Sequence, residues 1–189
     1  MSMRVVLDLT DKDLAHFRKL ARQARSASKQ LSPEEIVSAA RALLEQVDER
    51  VGSDYIRDRL FQLQVLIDML EDTGWGLPEA ERKRVLAALS YFNEPDDLIP
   101  DHIPGLGFLD DAIMVELIVR ELKPEIDSYR DFVKYRASEA RRRGTDVSRL
   151  GRADFLEDRR KQLISRMRRR RRSSQGRTGG GGRSPFGLF

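Results

Sequence analysis

The sequence predicts an all-α protein: a compact bundle of about five to six helices, a Pro/Asp-rich turn in a central helical hairpin, and a disordered basic C-terminal tail. Three observations predict it. Apolar residues recur at helical spacing through most of the chain. Helix start and stop signals bracket those stretches. The last 17 residues, "SSQGRTGGGGRSPFGLF", have the composition of a flexible linker.

Of the 189 residues, 40% are hydrophobic and 35% charged, enough apolar material for one cored domain with appendages. A mean hydropathy of −0.54 is polar for a globular chain, yet the apolar fraction is too high for full disorder. There is no cysteine, which excludes a disulfide framework, a thiolate zinc site and a cysteine nucleophile. The opening "MSMRVVLDLTDKD" lacks the apolar core of a signal peptide. The longest apolar stretch, 112–122, is interrupted by Glu116, Arg120 and Glu121, too soon for a membrane span. The expectation is a cytoplasmic protein, at most peripheral to the inner face of the membrane.

Residues 1–9, with "RVVLDL", read as an extended arm or an edge strand. A helical domain is expected over 10–145. Thr10 and Asp13 start its first helix, with Leu14, Phe17, Leu20, Ala21 and Ala24 on one face. In "LSPEEI", Ser32 is the N-cap, Pro33 the first helical residue and Glu35 the closing member of a capping box. A third helix should run from Asp54 to Thr73 and end at Gly74. Trp75, between two glycines, reads as a cap over the core rather than a ligand-stacking residue. A fourth helix starts near Pro78 and carries Val85, Leu86, Leu89 and Phe92. A fifth carries Ile113, Met114, Leu117, Ile118 and Leu122, is broken or kinked at Pro124, and resumes with Ile126, Tyr129 and Phe132. Residues 146–172 form a basic amphipathic helix, regular from about Arg152, with Phe155, Leu156, Leu163, Ile164 and Met167 on its apolar face. Residues 173–189 are the Gly/Arg tail.

Between the fourth and fifth helices stands "YFNEPDDLIPDHIPGLGFLDD", from Tyr91 to Asp111. Pro95, Pro100 and Pro104 fix φ and remove donors, so no regular element crosses it. Its Leu and Ile content is too apolar for a solvated loop, which predicts a rigid connection packed into the domain. Asp side chains are natural acceptors for its unpaired backbone donors, and Asp110 is expected to cap the following helix.

The residues Pro95, Asp97, Leu98, Ile99, Pro100, Asp101, Ile103, Pro104, Gly107, Leu109, Asp110 and Asp111 resemble the hallmark of the YkvA family, over about residues 85–125. The resemblance implies a helical hairpin module with no established chemistry, which in some relatives is hydrophobic enough to associate with membranes. Asn93, Glu94 and Asp96 depart from the family pattern and make this copy more polar.

Two chemistries are open. Asp97, Asp101, Asp110 and Asp111, with His102, are candidate oxygen-rich ligands for a divalent cation, although the spacing is not that of a calcium-binding helix–loop–helix. That is the one cofactor the sequence suggests. The histidines are His16, expected on an exposed helix face, and His102. No residue is marked as a nucleophile, so no catalytic residue is assigned.

The second is electrostatic. From Arg166 onward there are eight arginines and no acid: Arg166, Arg168, Arg169, Arg170, Arg171, Arg172, Arg177 and Arg183. Without those eight, 27 basic residues face 31 acidic ones, so the body carries −4 and the arm +8. An uncompensated run of arginines repels itself and favours a polyanion, whether RNA, DNA or an anionic membrane surface. No aromatic residues interleave the run, so contact with nucleic acid would be to phosphates and not sequence-specific. The final "SPFGLF" loosely resembles the Leu-Phe ends by which bacterial replication and repair proteins bind the sliding clamp, with Leu188 and Phe189 matching. The reading that results is a non-enzymatic helical interaction protein whose arm binds nucleic acid, or an assembly such as the ribosome. The alternative is a peripheral membrane protein anchored by the basic helix, and the third a metal-dependent enzyme at the Asp cluster. On this reading the body folds without the arm.

Overall fold

The computed structural model describes residues 6, 8–50, 54–93, 99, 106–150 and 154–176. Of the N-terminal arm or strand, Val6, Asp8 and Leu9 are described, without regular structure, and the rest lies outside the described residues.

Both capping boxes form. Thr10 N–H donates to Asp13 Oδ2 (2.8 Å) and Asp13 N–H to Thr10 Oγ1 (3.4 Å), opening α1 (Asp11–Ala27). Ser32 N–H donates to Glu35 Oε2 (2.6 Å) and Glu35 N–H to Ser32 Oγ (3.2 Å), opening α2 (Pro33–Arg50). Each box satisfies two donors that the first turn of a helix leaves without partners. A 3₁₀ turn, Ser28–Gln30, extends α1.

The single helix expected from Asp54 to Thr73 is divided into α3 (Asp54–Leu60) and α4 (Gln62–Glu71). At the junction Gln64 N–H turns to Phe61 O (3.2 Å), a three-residue closure that tightens the chain and leaves the Phe61 ring 42% exposed. α5 (Glu79–Leu89) follows the tryptophan loop and runs into a 3₁₀ turn, Ser90–Asn93. α6 (Leu109–Glu121) ends at Leu122, and α7 (Lys123–Arg142) begins there with Pro124 in its first turn. A proline is tolerated at that place because the missing N–H has no intrahelical acceptor. α8 (Asp154–Gly176) reaches four residues past the expected end at Arg172, so Ser173–Gly176 belong to the helix and not to the tail.

One core joins these elements. Leu60, Leu63, Leu66, Ile67, Val85, Leu89, Met114, Leu122 and Phe132 are fully buried. Trp75 is also fully buried, with Phe132 and Tyr129 at ring distances of 5.2 and 5.9 Å, and so closes the core as expected. Asp72 fixes its loop. Oδ1 accepts from Trp75 N–H (3.0 Å) and Arg136 Nη1 (2.8 Å), and Oδ2 from Arg136 Nη2 (2.6 Å) and Tyr129 OH (3.2 Å). A side chain at position 74 would bring its Cβ to 2.7 Å from Arg136 Nη1, so Gly74 is what lets the guanidinium approach.

α8 belongs to this core. Leu156, Leu163, Ile164 and Met167 are buried, and Phe155 lies beneath the Arg143 guanidinium, 3.8 Å from its ring centre. As α8 partners rise from Arg166 through Arg170 to Arg171, their α7 partners fall from Asp131 through Asp127 to Glu125. The two helices therefore run antiparallel.

Candidate functional site

Two constellations carry the residues that the sequence marks. At the Pro/Asp turn, Asp110 is not the cap of α6. Phe108 holds that position, in the left-handed region at φ 64°, and its side chain makes no capping bond. Asp110 sits in the first turn instead, where its Oδ2 accepts the N–H of Ile99 at 3.2 Å. The buried carboxylate thus ties the middle of the turn to the start of α6. Left-handed backbone at a non-glycine residue is sterically costly, and here it buries the Phe108 ring completely. Asp111 is buried beside Asp110, whereas Asp97, Asp101 and His102 lie outside the described residues. Among the described residues no group of three or more His, Cys, Asp or Glu side chains is placed to hold a metal ion. His16 is exposed on α1.

The second constellation lies where α8 meets α5 and α7, beside the last turn of α6. Arg168 makes a two-pronged bond to Glu81, Nε to Oε1 and Nη2 to Oε2, both at 3.1 Å. Arg171 Nη1 donates to Glu81 Oε1 (3.4 Å) and Glu125 Oε1 (3.2 Å). Arg84 lies 3.6 Å from Glu121 Oε1 and 3.8 Å from Glu125 Oε1. Glu81, Glu121 and Glu125 are buried, so three carboxylates face three guanidinium groups in a charge-balanced cluster. Burial alone would raise the Glu81 pKa, but the bonds and charge of Arg168, with the charge of Arg171, outweigh it and hold this carboxyl below its ordinary value.

The arginine run is therefore not uncompensated. Arg166 bonds Asp131, Arg170 lies 4.0 Å from Asp127, and Arg168 and Arg171 belong to the cluster. Helical spacing divides the run between two faces, and only a partner's position shows which arginines turn inward. Arg169 and Arg172 turn outward, exposed and with no ion pair among the described residues. Arg177, Arg183, Leu188 and Phe189 lie outside the described residues.

Sequence reasoning missed Glu81, Glu121, Glu125 and Arg84. The signal that could have found them is the placing of Glu121 and Glu125, four apart, against an otherwise apolar face of Leu117, Ile118, Leu122 and Ile126. Acids on a core face need cations from elsewhere. Nothing in this cluster pairs a nucleophile with a base. Its chemistry is to hold α8 in place and to sort its arginines.

Residues 82–117 match the model of the family described as "Protein of unknown function (DUF1232)". The chain is also 39% identical over 71 residues to the protein of Bacillus subtilis (strain 168) called "Uncharacterized membrane protein YkvA", covering 35% of this chain and 67% of that protein. No solved structure matches the chain. The family match spans α5 from Arg82, the Pro/Asp turn and α6 as far as Leu117, the stretch that the proline and aspartate pattern singles out, and the chain belongs to the YkvA family, the DUF1232 proteins of unknown function.

Proposed function

We propose that the protein is a non-enzymatic helical interaction protein that binds the phosphate backbone of nucleic acid, alone or in an assembly such as the ribosome. The outward arginines of α8 and those that follow it make the contact. One observation carries this reading. The apolar face of α8 is buried against the body, with Met167 at 0% exposure, so what the helix offers a partner is charge. Contact through such a face is made to phosphates and reads no base edges.

The test is equilibrium binding to a short mixed-sequence DNA duplex over a salt series. Each cation placed on a phosphate contributes about −0.9 to the slope of log affinity against log salt. Replacing Arg169 and Arg172 with Gln is expected to make the slope shallower by about 1.8 and to leave the melting temperature unchanged. An unchanged slope rules out α8 as the contact.

A second reading has its own observation, the name of the Bacillus subtilis relative, which is called a membrane protein. Among the described residues no helix is long and apolar enough to cross a membrane. Association would be peripheral, and inserting the apolar side chains of α8 would require the helix to leave α7. Binding to anionic vesicles that exceeds duplex binding, and that is lost on replacing Leu163 and Met167 with Ser, supports this second reading over the first.

A further inference from the structure

We infer that α1 carries a second phosphate-binding surface, separate from α8 and independent of the reading given for it. From Leu14 to Pro33 the sequence has no acidic residue. Within that stretch Lys19, Arg22, Arg25 and Lys29 follow one another at intervals of three, three and four. On α1 this spacing sets Lys19, Arg22 and Arg25 along one side over about 9 Å, and the 3₁₀ turn Ser28–Gln30 carries Lys29 just past the helix end. The buried side of α1 is made by Phe17, Ala21 and Ala24, so the cations cannot turn inward. All four are exposed, and none makes an ion pair among the described residues. This sets α1 apart from α8, where Arg166, Arg168 and Arg171 are held by carboxylates of the body. A row of like charges on one helix face, with no counter-charge paired to it among the described residues, raises the potential there and is relieved by an external anion.

The flanking residues favour a phosphate chain over a lipid surface. Gln23, Ser26 and Gln30 are exposed beside the cations, side chains that bond phosphate oxygens and bring no apolar bulk. No large apolar side chain on α1 is exposed; Val6 and Leu9, which are, precede the cap at Thr10. A helix that settles into a membrane interface needs such residues on its contact face.

α1 packs on the 3₁₀ turn after α5, whereas α8 meets α5 at Glu81 in its first turn. The two basic surfaces thus lie near opposite ends of α5, whose 11 residues span about 16 Å. A polyanion long enough to reach both gains from the second contact by raising its local concentration.

The experiment uses the full chain, the same duplex and the same salt series, with Arg22, Arg25 and Lys29 replaced by Gln, which keeps helix propensity. The expected result is a slope shallower by about 2.7 and an affinity lower by two to three orders of magnitude, roughly 500-fold, near 0.1 M salt. The melting temperature should not move, and replacing Arg22 and Arg25 with Lys should restore the wild-type slope. If this variant binds like wild type while the Arg169/Arg172 variant loses affinity, the α1 assignment is overturned and the α8 reading stands. The reverse pattern sustains α1 and removes α8. Loss of binding to phosphatidylserine vesicles with duplex binding intact makes the stripe a lipid contact and overturns the assignment. Failure of the intact chain to bind the duplex overturns both.

Discussion

A chain ending at Ser165 is expected to lose most of its folding stability, not to survive as an intact body without an arm. The truncation removes Met167, which is fully buried, and deletion of such a side chain to Ala costs about 2–5 kcal/mol. It also removes Arg168 and Arg171, leaving Glu81 with no cation from α8 and Glu125 with Arg84 at 3.8 Å. Breaking a buried pair by deleting one partner costs about 3–5 kcal/mol, nearer the low end here because the Arg168 side chain is 42% exposed. Together these losses are comparable to the total stability of an ordinary domain, about 5–15 kcal/mol. A chain ending at Gly176 keeps every one of these contacts and should melt with the full-length protein. Thermal melts of the three chains followed by circular dichroism check this; equal melting temperatures for the Ser165 and Gly176 versions would contradict the integration of α8. The comparison also decides how partners are sought, because a Ser165 truncation confounds loss of binding with loss of fold.

Asp72→Ala is expected to destabilise the protein by about 3–5 kcal/mol, since the Arg136 guanidinium stays largely buried, at 17% exposure, without its counter-charge. Four donors converge on this carboxylate, and Trp75 depends on it for the shape of its loop. Burial alone would raise the Asp72 pKa. The bonds from Arg136 and Trp75 N–H, the Arg136 charge and the Tyr129 hydroxyl outweigh it, so the group is held below its ordinary value. The sign of the pH dependence follows. A carboxyl with a lowered folded pKa contributes stability that is full above the ordinary carboxylate range, near 4, and is lost as pH falls toward the folded value. Asp72 and Glu81 both act in this direction, so acid unfolding should set in below about pH 4–5. The Asp72→Ala protein, less stable at neutral pH, should show a shallower fall on acidification. Urea unfolding at a series of pH values measures both, and parallel pH profiles for wild type and variant would remove Asp72 from the account. On the alkaline side, burial and then the charge of Asp72 raise the Tyr129 phenol, so stability should also fall as pH rises past the ordinary tyrosine range.

What was legible in the sequence is what short range determines. The Thr10 and Ser32 boxes each involve residues three apart, and Pro124 announces the break between α6 and α7. Trp75 was legible as a core lid because a large apolar ring in a helical domain is more often buried than offered to a ligand. The division at Phe61 was not, because no proline or glycine marks it and apolar periodicity continues across it. Nor was the left-handed Phe108, since a side chain ordinarily forbids that conformation and only the packing around it pays the cost. The ion-pair cluster was illegible for a different reason. Glu81 and Arg168 are 87 residues apart, and counting charges gives a total for the arm without showing which arginines the body neutralises. Composition identified a basic segment; its division into inward and outward cations required the fold.

If the outward arginines of α8 make the contact, α8 stays docked on α7 and meets its partner from the outside. Amide hydrogen exchange across α8, with and without a saturating DNA duplex, tests this most directly. The amides of 156–168 are expected to exchange slowly in the free protein and to keep that protection with the duplex bound, while changes concentrate around Arg169 and Arg172. Loss of protection along 156–168 on binding would contradict it, because α8 would then be leaving the body to engage the partner with the face that the structure buries.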